Sequence, residues 1–303
     1  MNIIPFDMAT TKPIRNRIQA LKRAYDTLRQ GKESLLAMID QVEIPESVYN
    51  SNAIENSTLT LEETERILLE QVLSRNVSVR EVFEAKNLAR ITEYKRAKAK
   101  DSDLNKDLIL LLHQMLIGGI DDAIAGRFRG PGEYVRVGTH IAPAPEHVEL
   151  MTDNILIRYS SDLGSYFLDK IARFHLDFES VHPFCDGNGR LGRVLINFQL
   201  IQLGLPRIII RNSEKERYYQ AFRDYEDRQN TRTMESIMAL ALTESLHKRG
   251  SYLQGESIIR LSHYIKQRGL SAPAVTNAAR RQTLPAFREK GVWKIGDGFV
   301  YRT

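Results

Sequence analysis

Apolar residues in this 303-residue chain recur mostly three or four positions apart, and the strict alternation of a half-buried strand is scarce. That periodicity restricts the chain to a mainly α architecture. It predicts helices over about 14–29, 47–56, 105–117, 146–159, 165–178, 189–203, 214–226 and 233–249. Two more are announced by capping boxes, Thr60-Leu61-Glu62-Glu63 and Ser78-Val79-Arg80-Glu81, in which the hydroxyl and the carboxylate satisfy each other's backbone amides. In the helix at 105–117 the spacing turns Leu108, Leu111, Leu112 and Met115 inward. Between Gly119 and Pro145 the helical period disappears, glycines and prolines gather, and only 134–141 alternates. This stretch predicts a small β-hairpin flap at about 132–143.

The first twenty residues mix Pro5, Asp7, Lys12, Arg15 and Arg17 with apolar ones, and no later run is long enough to cross a bilayer. A soluble, cytoplasmic protein without a membrane partner is expected. Cys185 is the single cysteine, which leaves no internal disulfide and no thiolate cluster for zinc. The other histidines, His113, His140, His147, His175, His247 and His263, fall in no metal-ligand spacing and read as structural or exposed.

The net charge of +5 is concentrated at the end of the chain, where 251–303 holds nine basic residues against three acidic ones. There the pattern predicts three short helices at about 257–267, 272–281 and 283–290, then a hairpin pairing 292–295 with 299–301 across Gly296-Asp297-Gly298. Three short helices and a two-stranded wing resemble a winged-helix module. Such modules often bind DNA, and Arg280, Arg281, Arg288 and Lys290 are the cations that would meet phosphates. Pro285 is awkward for a helix that reads a groove.

The densest chemistry lies in His182-Pro183-Phe184-Cys185-Asp186-Gly187-Asn188-Gly189-Arg190-Leu191-Gly192-Arg193. Gly187 and Gly189 let backbone approach a ligand at the start of a helix, where free amides and the helix dipole favour an anion. Arg190 and Arg193, on the first turn, extend that attraction along a polyphosphate. Asp186 is a hard carboxylate suited to Mg²⁺ shared with phosphate oxygens. His182 titrates near neutrality and can accept the proton of an attacking hydroxyl. Base, metal ligand and anion hole together suit phosphoryl-type transfer.

At every defined position this stretch resembles the Fic signature, His-x-Phe-x-Asp/Glu-Gly-Asn-Gly-Arg-x-x-Arg, and the chain from about 109 to 241 looks like a Fic domain. The resemblance implies a nucleotidyltransferase that moves AMP from ATP, with Mg²⁺, onto a Tyr, Thr or Ser hydroxyl of a target protein. His182 would be the general base and Phe184 the loop's anchor in the core. Asp186 would hold the metal, and Gly187, Asn188, Gly189, Arg190 and Arg193 would hold the ATP phosphates. The flap would add itself to the target as a strand, with Val137, Gly138, Thr139, His140 and Ile141 as the docking edge. Tyr219 is a candidate adenine contact. Ser51-Asn52-Ala53-Ile54-Glu55-Asn56 looks like the Fic inhibitory motif, so the helix at about 47–56 would present Ser51 and Glu55 to Arg193 and keep the enzyme off.

The expected organisation is an N-terminal helical region at 1–100, a Fic core at 101–249 and a winged-helix-like domain at 250–303. Self-modification, a homodimer and DNA bound through the C-terminal module are further expectations. Two other readings keep the same residues: a Fic-type transferase of a different phosphate-linked group, and a DNA-binding regulator that uses the Fic domain as a nucleotide sensor.

Overall fold

The computed structural model describes residues 10–70, 77–99 and 102–301. Its centre is an antiparallel pair, α7 (Phe167–Val181) and α8 (Asn188–Gln202), joined by the loop at 182–187. Both helices are apolar on two faces, which lets them separate two cores. Phe174, Phe178, Val181, Leu191, Leu195 and Phe198 face one core, shared with α4 (Val79–Lys98), α5 (Lys106–Ile117) and α6 (Val148–Ser161). Leu168, Ile171, Leu176, Ile196 and Leu200 face the other, shared with α1 (Lys12–Leu28), α9 (Lys215–Arg228) and α10 (Arg232–Leu253). The loop between α7 and α8 is thus held by helices packed on both sides.

Most elements fall within a few residues of the sequence reading. The capping box at the start of α3 (Leu61–Glu65) is formed: Thr60 N donates to Glu63 at 2.8 Å and Glu63 N to the Thr60 hydroxyl at 3.2 Å. In α5, Asn105 caps the amide of Leu108 at 2.9 Å. The inward face of α5 differs from expectation: Leu108, Ile109, Leu112, His113 and Leu116 are buried, whereas Leu111 is exposed. The flap is shorter than its alternation suggests, with β1 (Arg136–Val137) and β2 (His140–Ile141) pairing antiparallel around a turn that places Gly138 at φ 59°.

Two corrections are larger. The helix expected at 47–56 is the last third of α2 (Glu33–Ile54), which runs through Pro45. A proline removes one helical hydrogen bond and usually ends a helix. Here the chain on both sides of it is fixed by tertiary contacts. Asp40 and Glu43 accept from Arg249, each at 2.6 Å, and Glu46 accepts from Arg211 at 2.5 Å.

The second correction concerns the C-terminal module. After β3 (Ile258–Arg260), α11 (Leu261–Gln267) and α12 (Ala272–Arg280), the expected third helix is a strand, β4 (Ala286–Glu289). It pairs with β5 (Val292–Gly296), giving an antiparallel sheet in the order β3-β5-β4. The hairpin turns at Lys290 and Gly291, both at positive φ as a type I′ turn requires, and not at Asp297-Gly298. Residues 299–301 form no strand. Leu261, Tyr264, Val275, Ala279, Leu284, Ala286 and Ile295 make a third core.

A buried ion lattice joins this module to the rest. Arg288 of β4 pairs with Glu244 of α10 at 2.6 Å and with Glu214 at 2.8 Å. Arg211 bridges Glu244 and Glu46, and Lys248 lies 3.0 Å from Glu43 and 3.1 Å from Glu289. Arg288 is therefore engaged inside the protein, and Lys290 lies 2.9 Å from Glu65. Of the four cations expected to meet phosphates, Arg280, Arg281 and Lys290 stand exposed on the surface. No helix among the described residues is long and apolar enough to cross a membrane.

Burial alone would raise the Glu43 carboxyl, but Arg249, Lys248 and Arg207 outweigh it and hold the group at about 2. Its stabilising contribution is thus complete above the unfolded value of about 4.5 and is lost as pH falls towards 2. Removing one partner of a buried pair strands the other. Glu43→Gln is expected to lower unfolding free energy by about 3 kcal/mol at pH 7 in a denaturant titration. The deficit should shrink in acid.

Candidate active site

His182 ends α7 in a left-handed conformation, φ 48° and ψ 62°, and this turn swings the chain into the loop. The imidazole Nδ1 donates to the Glu179 carbonyl at 3.2 Å. That contact assigns the ring proton to Nδ1 and leaves Nε2 as the basic nitrogen. Burial pushes His182 down to about 4, so the ring is neutral at physiological pH, the form a general base requires. Beneath it, Glu179 is buried, and burial together with the neighbouring Glu55 raises its carboxyl to about 8.

The loop is clasped from within. Phe184 is fully buried, its ring stacked on His113 at 3.7 Å and tilted against Phe128 at 5.3 Å. His113 accepts from Gly126 N at 3.0 Å and, through its other nitrogen, donates to the Asp186 carbonyl at 3.0 Å. Asn188 accepts from Phe184 N at 2.9 Å and donates to Phe184 O at 2.8 Å. Its side chain thus closes the loop on itself, which leaves its backbone as the part that could line an anion hole. Gly187, the N-cap of α8, sits at φ 80°, and a Cβ there would press on Leu116 and Ile117.

Three guanidiniums and three carboxylates surround the start of α8. Arg193, 6% exposed, donates to the Ser51 hydroxyl at 2.9 Å, to the Ser51 carbonyl at 2.8 Å and to Glu55 at 2.9 Å. Arg190 lies 2.9 Å from Glu84 and 3.0 Å from Asp186. Arg80 donates to both Glu84 and Asp186. Burial would raise Asp186, but Arg190 and Arg80 prevail and hold it below the usual carboxylate value. A Cβ on Gly189 would collide with the Glu55 carboxylate, so Glu55 fills the space over the first turn of α8. Sequence places Ser51 and Glu55 over a hundred residues from Arg193; the structure brings them together.

Tyr219 lies against the end of α2. Its hydroxyl donates to the Ile54 carbonyl at 2.9 Å and so holds the end of α2. Tyr218, fully buried, bonds His175 at 2.7 Å and accepts from Arg193 at 3.4 Å. In the flap, Val137 and Ile141 are exposed, while His140 reaches the Ser180 carbonyl at 2.9 Å and Glu226 at 3.0 Å. Arg80, Glu84, His113 and Arg129 carry no motif, and only their contacts identify them as parts of the site.

No cluster of three metal-ligating side chains occurs among the described residues. Asp186 alone, ionised and about one-third exposed, fits Mg²⁺ as an ion completed by phosphate oxygens. Arg80 would have to leave its carboxylate for that ion to bind.

The fold and site define a helical domain that presents a neutral histidine beside the N-terminus of α8, where Arg190 and Arg193 gather. Residues 103–200 match the Fic/DOC family. It is 31% identical over 179 residues to the protein adenylyltransferase Fic of Nematostella vectensis, covering 57% of this chain and 41% of that one. The chain thus spans well under half the length of that relative. Among solved structures, a Fic-domain-containing signalling protein from Bacteroides thetaiotaomicron superposes with a TM-score of 0.71 at 23% identity, over 80% of this chain and 98% of that one. A Fic family protein from Desulfovibrio desulfuricans G20 superposes with a TM-score of 0.64 at 20% identity, over 100% and 99%. These two likenesses establish the fold.

Asn188→Ala would leave the buried Phe184 amide and carbonyl without partners, at a cost of about 1–3 kcal/mol. A drop in melting temperature with faster amide exchange at 183–187 is the expected result. Unchanged exchange there would refute the clasp.

Proposed function

We propose that the protein transfers AMP from ATP to a side-chain hydroxyl of a target protein and that Glu55 holds it inactive. The observation that carries this reading is the Arg193 clasp: a guanidinium at the anion-binding turn is occupied by a carboxylate from a distant helix. The naming of a relative as a protein adenylyltransferase supports the reaction class. In this reading the α8 amides and Arg190 and Arg193 hold the phosphates. His182 Nε2 takes the proton as the target oxygen bonds to the α-phosphorus, and the bond to the bridging oxygen breaks to release pyrophosphate. Bound through Asp186, Mg²⁺ would neutralise charge developing on the phosphates.

When Glu55 is withdrawn, Arg193 is free to bind phosphate and a negative charge leaves the site. Glu55→Gly is expected to raise incorporation of label from α-labelled ATP, into itself and into lysate proteins, at least about tenfold. Adding Arg193→Ala or His182→Ala should remove the gain. Incorporation from γ-labelled ATP would instead indicate transfer of another group. No incorporation, with salt-dependent DNA binding, would favour a nucleotide-sensing regulator.

Arg80 stands on the carboxylate that would ligate the metal. Arg80→Ala should lower the Mg²⁺ concentration giving half-maximal activity of the Glu55→Gly protein, and Asp186→Asn should raise it. Metal titrations that coincide for all three proteins would exclude Asp186 as the ligand.

A further inference from the structure

Arg129 is 3% exposed, and none of its hydrogen bonds goes to a carboxylate. Its neighbours show the contrast: Glu133 is engaged bidentately by Arg127 at 2.7 Å through both oxygens. Arg129 spends its donors on main-chain carbonyls. Nε donates to His182 O at 2.8 Å, Nη1 to Glu133 O at 3.0 Å, and Nη2 to Pro143 O at 2.9 Å and Val181 O at 3.2 Å. Its own amide donates to Pro183 O at 3.0 Å.

The acceptors fall into two groups. Glu133 and Pro143 are the two feet of the flap; Val181, His182 and Pro183 are the turn that carries the base. Burying a cation is costly, and carbonyl dipoles offset only part of that cost; the nearby Glu133 carboxylate acts on Arg129 from a distance but is itself bonded to Arg127. Its geometry suggests why it is there. The guanidinium is planar and rigid, so groups bonded to its different nitrogens are fixed relative to one another. His182 itself occupies a left-handed conformation that a non-glycine residue holds only when its surroundings dictate it. The Arg129 bond to its carbonyl supplies part of that constraint.

We propose that Arg129 is a positioning residue that sets the distance between the target-docking flap and the general base. A hydroxyl delivered by a strand laid on the flap must meet Nε2 of His182 within hydrogen-bonding reach, and an error of about 1 Å costs up to about 100-fold. His140, bonded to Ser180 O at the end of α7, is a second tie between the same elements. Among the described residues, Arg129 alone reaches the histidine's own backbone from both flap feet. Water needs no flap to reach the α-phosphate, so the acceptor distinguishes this role from a general structural one. The inference rests on the adenylyl-transfer reading for its kinetic consequence, though not for its structural one.

The test uses Arg129→Lys and Arg129→Met in the full-length Glu55→Gly protein. Lysine keeps the charge and loses the fork; methionine removes both, and lysine serves where methionine fails to fold. Three quantities are measured: binding of a non-hydrolysable ATP analogue, amide exchange across 133–143, and the partition of α-label between protein and free AMP. The acceptor is a tagged His182→Ala copy of the chain. Analogue binding should stay within about threefold, flap exchange should rise, and protein labelling should fall about 10- to 100-fold while AMP release falls less. Unchanged flap exchange, or an equal fall in labelling, AMP release and analogue binding, would overturn the proposal. If the Glu55→Gly parent neither labels protein nor releases AMP, adenylyl transfer fails as a reading, and the exchange result still decides whether Arg129 holds the flap.

Discussion

Arg193 is the contact on which the site's present state depends. A guanidinium at 6% exposure must be satisfied by something, and its partners, Ser51, Glu55 and Tyr218, come from two separate helices. Three of its four hydrogen bonds go to the end of α2, so the position of that helix and the occupancy of the anion-binding turn are one variable. Because Arg193 is already desolvated, exchanging a carboxylate for a phosphate requires no new burial of the cation. The competition is between two anions for a prepared site.

The end of α2 is free to compete only as far as the rest of the helix allows. Asp40, Glu43 and Glu46, upstream of Ser51, are fixed by Arg249, Lys248 and Arg211, and Arg211 continues through Glu244 to Arg288 in the C-terminal sheet. Tyr219 adds a bond at Ile54. Buried charges packed at this density resist being separated one at a time, since each removal leaves a charge without its partner. Rigid-body withdrawal of α2 would therefore disturb α10 and β4 together. Local fraying of its last turn at Glu55, whose carboxylate is about one-third exposed, leaves the lattice intact.

The functional loop was legible in sequence because it is contiguous: 182–193 folds with local geometry, and two glycines and a terminal histidine mark the turn without tertiary help. Ser51 and Glu55 could be reached only through a family pattern. What sequence could not supply was every contact set by packing. Pro45 reads as a break, yet ion pairs on both sides keep α2 continuous. Residues 284–287 are a short apolar run that fits a helix or a strand, and the pairing of 286–289 with β5 decides it. Lys290-Gly291 does not announce a turn, because lysine is not a usual turn residue, although it adopts φ 50° there. Arg129, His113, Arg80 and Glu84 have no local signature, because the contacts that bring them to the site, such as Arg129 to Pro143 and His182, His113 to Asp186 and Arg80 to Asp186, lie across 14 to 106 residues of separation.

The charges around α8 show what opening the site must exchange. Arg80, Arg190 and Arg193 face Asp186, Glu84 and Glu55, a balanced set in which every cation has an anion beside it. A polyphosphate adds negative charge to this set, so it can enter only as carboxylates leave or cations arrive. Withdrawal of Glu55 would serve Arg193, and in the proposed reaction a divalent cation at Asp186 would serve the same balance from the other side while displacing Arg80. Both changes lower repulsion at the same few ångströms of helix N-terminus, where the low dielectric magnifies each charge. Anion release at α2 and metal binding at Asp186 are therefore expected to reinforce each other, because each reduces the electrostatic cost that the other must overcome. His182 is tied to the same exchange through charge: Glu55 opposes the lowering that burial imposes on the ring, so its withdrawal leaves the ring neutral still, with Nδ1 held by the Glu179 carbonyl of α7.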